Sequence, residues 1–155
     1  MHPPAVMVWS AITAQGRCGL EVSEKGVKVN AARYIAVLDA KVKVHMNITG
    51  TTLFQQDSAP CHTAKVVQNW FQDNNIETLQ NWHPSSPDLN PIENCWNLMK
   101  RKVAAHHPSS ETDLNKILKQ VWINEITPDY CQKLVHSMPL RIAAVLKNRG
   151  YPTKY

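Results

Sequence analysis

A chain of 155 residues with 43% apolar content has the size and composition of one ordinary globular domain. Its formal charge of +5 suits a polyanionic partner such as DNA without requiring one. No run approaches the roughly 18 apolar residues of a membrane-spanning helix, nothing repeats internally, and Met1–Ala5 carries neither the basic nor the long apolar stretch of a secretory signal. The four cysteines, at 18, 61, 95 and 131, are therefore expected as reduced thiols in the nucleus or cytosol; no pair has Cys-x-x-Cys spacing.

The apolar run Ala5–Trp9 predicts a strand covered on both faces. Gln15-Gly16 offers a turn, and Cys18–Val22 returns as a second strand. Tyr34, Leu38 and Val42 recur at i, i+4, i+8 and predict a helix from about Ala31 to His45, capped by Asn30 and broken at Thr49-Gly50. Thr51–Gln56 is β-prone and ends at Asp57. Pro60 begins a turn. Val66, Val67, Trp70 and Phe71 mark one face of a helix that stops near Asn74-Asn75, and Ile76–Leu79 predicts a short strand. The segment from Trp82 to Pro91 is a proline-rich loop. Asn90-Pro91-Ile92-Glu93 has the pattern of a capping box, with Asn90 as cap and Glu93 at the third helical position. Cys95, Trp96, Met99 and Val103 continue that helix. Leu114, Ile117, Leu118, Val121 and Trp122 mark another, Thr127-Pro128 opens a third, and Ser137-Met138-Pro139 restarts the chain into Arg141–Lys147 before Gly150. The order of elements predicts an α/β sheet layer, about 5–82, with C-terminal helices, about 90–149.

Two acids carry candidate chemistry. Asp57 stands at a strand end, where α/β folds place ligands, and Glu93 stands at a helix start. Together they could share a divalent cation of the hard, oxygen-seeking kind. Each also has a purely local role open to it: Asp57 can cap the turn Asp-Ser-Ala-Pro, and Glu93 can satisfy a backbone N–H. The seven histidines show no zinc-binding spacing, which leaves Cys61-His62 with Cys95 a weak alternative. His62 fits a donor behind a ligand, a cap, or a group that touches nucleic acid. Lys100, Arg101 and Lys102 follow Glu93 on the same predicted helix. They could neutralise phosphates or could be a solvated helix end. The tryptophans fall mostly on apolar faces, with Trp82 the one loop candidate for stacking on a base.

Three stretches, Val6–Trp9, Phe54–Ala64 and Ser86–Trp96, resemble the catalytic domain of the mariner / Sleeping Beauty superfamily of DDE transposases, and the ending from Ser137 to Tyr155 resembles that family's as well. The resemblance spans nearly the whole chain. It implies a ribonuclease H-like fold, cut-and-paste DNA transposition and DNA integration by phosphodiester hydrolysis and strand transfer, and Mg²⁺ or Mn²⁺ as cofactor. It further implies Asp57 and Glu93 as the second and third acids of a catalytic and metal-binding triad. DNA, as transposon ends and target, is the implied partner, a homodimer the implied assembly, and the nucleus the expected location.

The chain departs from the family pattern in three places. Thirty-five residues separate Asp57 from Glu93, one more than is common, which a loop difference near Asn81–His83 absorbs. Ser10 stands where a glycine often follows the tryptophan. No Asp or Glu precedes Glu21, so the first acid and the opening strand that bears it have no counterpart. The expectation is a ribonuclease H-like domain lacking its first strand, with an unpaired sheet edge and little or no strand cleavage by itself. The alternative is a non-catalytic DNA-binding or protein-interaction module derived from a transposon.

Overall fold

The computed structural model describes residues 6–24, 26–79 and 86–155. These fall into two compact units, one made of residues 6–24 with 87–155 and the other of residues 26–79 with 86. Each holds one of the two candidate acids.

In the first unit the chain opens with a hairpin. Strand β1 (Val8–Trp9) pairs antiparallel with β4 (Glu21–Val22), and β2 (Ile12–Thr13) with β3 (Gly16–Arg17) across a two-residue loop. Register shifts between the two ladders. Trp9 faces Glu21 and Ile12 faces Arg17, so Ser10 and Ala11 on one side oppose Cys18, Gly19 and Leu20 on the other. That extra residue is a β-bulge, which leaves carbonyls short of ladder partners. The buried Ser10 hydroxyl supplies one, donating toward the Cys18 carbonyl at 3.1 Å and the Gly19 carbonyl at 3.3 Å. A glycine at position 10 would remove this donor from both carbonyls, leaving Trp122 Nε1 on that of Cys18, which gives the serine a physical reason.

The opening apolar run is not covered on both faces as expected. Val6 and Val8 pack on the core while Met7 between them is 58% exposed, so the run alternates with the pleat. The core beneath the hairpin comes from helices α5 (Ile92–Ala105), α6 (Glu111–Glu125) and α7 (Pro128–His136), through Cys95, Met99, Leu114, Ile117, Leu118, Val121, Trp122, Ile126, Cys131 and Leu134. Burying a side chain of this size stabilises by roughly 1.5–3 kcal/mol. This cluster therefore outweighs the short ladders and holds the hairpin in place. Two long-range bonds fix its seating: Trp122 Nε1 donates to the Cys18 carbonyl at 2.8 Å, and an Arg17 guanidinium nitrogen donates to the Ile126 carbonyl at 2.8 Å. Ser110 and Thr127 cap α6 and α7, each accepting from a backbone N–H three residues on. Helix α8 (Met138–Lys147) follows directly, with Pro139 in its first turn.

The second unit contains a β-α-β passage. Strand β5 (Leu53–Phe54) runs parallel to β6 (Glu77–Thr78), joined through the short α3 (Pro60–Thr63) and α4 (Lys65–Asp73). The strand is shorter than the predicted Thr51–Gln56. Before it lies one long helical stretch, α1 (Ala31–Val37), a π-helical segment (Leu38–Lys43) and α2 (Val44–Thr49), capped by the Asn30 side chain and ended by Gly50 in the left-handed region at φ 67°. It runs past the predicted end at His45. The reason lies in the spacing. Tyr34, Leu38, Val42 and Met46 are all buried at steps of four residues. At 3.6 residues per turn each such step drifts by about 40°, so three steps would turn Met46 away from the core. The wider π turn takes up that drift. On α4, Val67, Trp70 and Phe71 are buried as predicted, whereas Val66 points to solvent. Trp70 Nε1 donates to Asp39 Oδ1 at 3.0 Å, and Phe54 stacks on Phe71 with centroids 5.4 Å apart.

Candidate active site

Asp57 lies three residues beyond β5, in the bend that leads into α3. Its Oδ1 accepts the Ala59 backbone N–H at 3.0 Å, so the local turn-capping role is real. The same oxygen also meets His62 Nδ1 at 2.5 Å. An ionised carboxylate only accepts, so that ring nitrogen carries the proton. His62 is itself held. Its ring lies against Tyr34 with centroids 4.2 Å apart, and its carbonyl accepts from Gln56 Nε2 at 3.3 Å. The Tyr34 hydroxyl donates to Gln56 Oε1 at 2.6 Å and closes the network. The His62 side chain is only 15% exposed, against 55% for Asp57. Oδ2 of Asp57 makes no hydrogen bond or ion pair among the described residues. One oxygen is thus fixed by the protein and the other is presented outward.

Glu93 is positioned differently. The predicted capping box does not form. Asn90 N–H is already taken by the Pro87 carbonyl at 2.9 Å, within a 3₁₀ turn at Pro87–Leu89, and Pro91 occupies the cap position of α5 without a side-chain bond. With no donor left to satisfy, the Glu93 carboxylate makes no hydrogen bond or ion pair among the described residues. It is half-buried and lines a cavity of about 730 Å³ in its own unit, beside Val6, Val8, Trp96, Met99 and Lys100.

The segment that carries Glu93 is held by Arg141, a residue only 2% exposed. Nε donates to Ser137 Oγ at 2.7 Å, one terminal nitrogen to the Asp88 carbonyl at 2.9 Å, and the other to Asn94 Oδ1 at 2.9 Å. Burial pushes its pKa down, while Tyr155, Asp88 and Tyr130 oppose that shift. These partners were not singled out from the sequence. Asp88 and Asn94 lie inside the Ser86–Trp96 motif and Arg141 inside the closing one, but nothing in either stretch shows that they meet.

The cations divide. Lys102 Nζ is paired with Glu125 Oε1 at 3.0 Å and braces α5 against α6. Lys100 and Arg101 are exposed, and Lys100, two turns past Glu93, lines the same cavity. His62 belongs with Asp57, as described. Trp82 lies outside the described residues. Cys95 and Cys131 are fully buried free thiols, and burial, with Cys131 nearby, pushes the Cys95 thiol up to about 12. They are packing groups, not nucleophiles. Among the described residues no three His, Cys, Asp or Glu side chains group to hold a metal ion. The donors that Asp57 and Glu93 do offer are carboxylate oxygens, the chemistry that Mg²⁺ and Mn²⁺ favour.

The sequence profile of the DDE superfamily endonuclease matches residues 2–115. This chain belongs to that superfamily. It is related to the catalytic domain of Tc1/mariner transposases. Over 153 residues it is 31% identical to the transposable element Tc1 transposase of Caenorhabditis elegans, covering 97% of this chain and 55% of that protein. It is 38% identical over 109 residues to the Tcb1 transposase of Caenorhabditis briggsae, covering 70% of this chain and 39% of that protein. The chain therefore spans about half or less of the length of these DDE relatives. Its fold matches the Mos1 transposase catalytic domain solved with Raltegravir and Mg, at a TM-score of 0.84 and 23% identity over 96% of this chain and 77% of that one. The form solved with Mn gives 0.81 at 24% identity over 96% and 78%. The Mos1 paired-end complex with left transposon end also gives 0.81 at 24%, over 100% of this chain and 47% of that one. At these identities the likeness to Mos1 shows the fold: the expected ribonuclease H-like α/β architecture.

Proposed function

We propose that Asp57 and Glu93 are two of the carboxylates of a phosphodiester-transfer centre that acts on transposon-end and target DNA with Mg²⁺ or Mn²⁺, in the nucleus and as a homodimer. The observation that carries this reading is that three carboxylate oxygens on these two acids have no protein partner among the described residues. Asp57 Oδ2 and the whole Glu93 carboxylate make no bond within the described residues, although Asp57 stands three residues past β5 and Glu93 in the first turn of α5. Both carboxylates are open to solvent and keep oxygens that no protein donor occupies, so a cation could displace water there without breaking a protein hydrogen bond. A hard cation held there would activate water and offset charge on the leaving oxygen.

The chain's own groups have separate tasks. His62 and the Ala59 N–H fix Asp57 through one oxygen and so aim the other. Lys100 and Arg101 offer positive charge to a phosphate backbone near Glu93. Two carboxylates are fewer than such centres use, so the 155 residues by themselves are assigned little or no strand cleavage. The exposed Lys100 and Arg101 also support the second reading, a DNA-binding module without catalysis. A plasmid-nicking assay with Mn²⁺ separates these statements. The expected result is DNA binding that weakens with salt and no nicking. Metal-dependent nicking that Asp57→Ala or Glu93→Ala abolishes would overturn the inactive assignment. Mn²⁺ binding unchanged in both variants would overturn the role given to the two acids.

A further inference from the structure

We infer that Arg141 is a positioning residue for Glu93, acting through the segment 88–94; this rests on Glu93 being the metal-binding carboxylate proposed above. The start of α5 has no cap of its own. Pro91 gives no side-chain bond, and the Asn94 side chain, which could have folded back on the helix start, is drawn off to Arg141. What fixes the direction in which Glu93 leaves the helix is therefore the guanidinium. It grips the chain on both sides of Glu93, at the Asp88 carbonyl before it and at Asn94 Oδ1 directly after it, while Nε anchors to Ser137 at the junction of α7 and α8. A second layer holds the clamp shut. The Thr153 N–H donates to Asp88 Oδ2 at 2.6 Å, and the Tyr155 ring lies against the guanidinium, its centroid 4.8 Å from the central carbon.

Stability alone gives no reason for this arrangement. A buried charge carries a large desolvation cost, and a well-packed apolar side chain would often serve as well or better. A planar fork that donates along three fixed directions does something no apolar group can, which is to set three segments at one distance and angle from each other. Lysine, a single point charge, cannot reproduce it. Outer groups that bond a ligating side chain typically change metal binding by about 10- to 100-fold; Arg141 grips the backbone segment and not the Glu93 carboxylate, so its effect belongs at the lower end of that range.

The test is Mn²⁺ binding to the whole chain, followed by electron paramagnetic resonance at a temperature where circular dichroism shows the protein folded. Arg141→Lys should weaken binding about tenfold, and Tyr155→Leu should weaken it in the same direction by less. Ile117→Val, a core change on α6, should lower Tm and leave Mn²⁺ affinity unchanged. The deciding measurement is a cycle with Glu93→Gln. If Arg141 acts through Glu93, the double variant binds Mn²⁺ no more weakly than Glu93→Gln alone. A folded Arg141→Lys with wild-type affinity, or losses that simply add, would overturn the inference while leaving Glu93 in place. Glu93→Gln with unaltered affinity would instead remove the role of Glu93, and the inference with it. Should Arg141→Lys fail to fold, Asn94→Ala, which removes one acceptor of the fork, is judged by the same criteria.

Discussion

The two candidate acids are held by opposite means. Asp57 is bonded directly only by groups of its own turn, Ala59 and His62; Gln56 beside it and Tyr34, 22 residues before Gln56, support that turn from behind. Glu93 has no bond of its own, and its segment is gripped by Arg141 from 53 and 47 positions away, with Thr153 reaching back 65. A carboxylate on a tight turn can recruit its own neighbours, because the turn already brings N–H groups to it. A carboxylate at the start of a helix that lacks a side-chain cap cannot, so its orientation must come from tertiary structure.

That contrast predicts unequal sensitivity to substitution. Arg141→Ala should have the largest effect, destabilising the unit that holds Glu93 by about 3–5 kcal/mol, because it strands the Asp88, Asn94 and Ser137 acceptors around a new cavity. Urea unfolding monitored by tryptophan fluorescence measures it, and a loss under about 1 kcal/mol would break the comparison. Trp122→Phe comes next, at about 2 kcal/mol, since it leaves the buried Cys18 carbonyl without its Nε1 donor 104 residues away and weakens the stack on Trp96. The same unfolding curves report it.

Tyr34→Phe should cost about 1 kcal/mol. It removes the bond to Gln56 but keeps the ring against His62, so Mn²⁺ affinity should fall only slightly; a loss as large as that of Arg141→Lys would show that the Asp57 network is no more forgiving than the Glu93 clamp. The smallest effect is a pH dependence. Burial lowers the pKa of His45 below its usual value, so the unfolded state binds the proton more readily. Stability is then full above about pH 6.5 and declines as pH falls below it. The denaturant midpoint between pH 5 and 7.5 shows this slope, and His45→Gln should flatten it.

Much of the scaffold was legible in the residues. The stripe Leu114–Trp122, the cap Asn30, the helix start at Thr127-Pro128, and the stops at Gly50 and Asn74 all follow local rules and all appear in the structure. The failures have a common cause. The capping box at Asn90–Glu93 was excluded by the preceding 3₁₀ turn, which had already used the donor that Glu93 would have satisfied. The π segment was missed because a four-residue repeat looks like an ordinary helix over two turns and departs from one only over three. The bulge was missed because it depends on cross-strand register, and its one visible sign was a serine in place of a glycine.

The sequence by itself determined which residues could do chemistry and on which elements they stand, because element type and capping depend on neighbours a few positions apart. It also identified the family, since long ordered motifs survive in the chain. Only the tertiary structure decided which oxygens remain available. Hydrogen bonds from the Ala59 N–H and His62 commit one oxygen of Asp57, with Gln56 and Tyr34 holding His62 behind it, whereas Arg141 orders the surroundings of Glu93 and leaves its carboxylate untouched. The Arg141 donors are placed by burial and packing across the fold, and no local pattern encodes where they arrive.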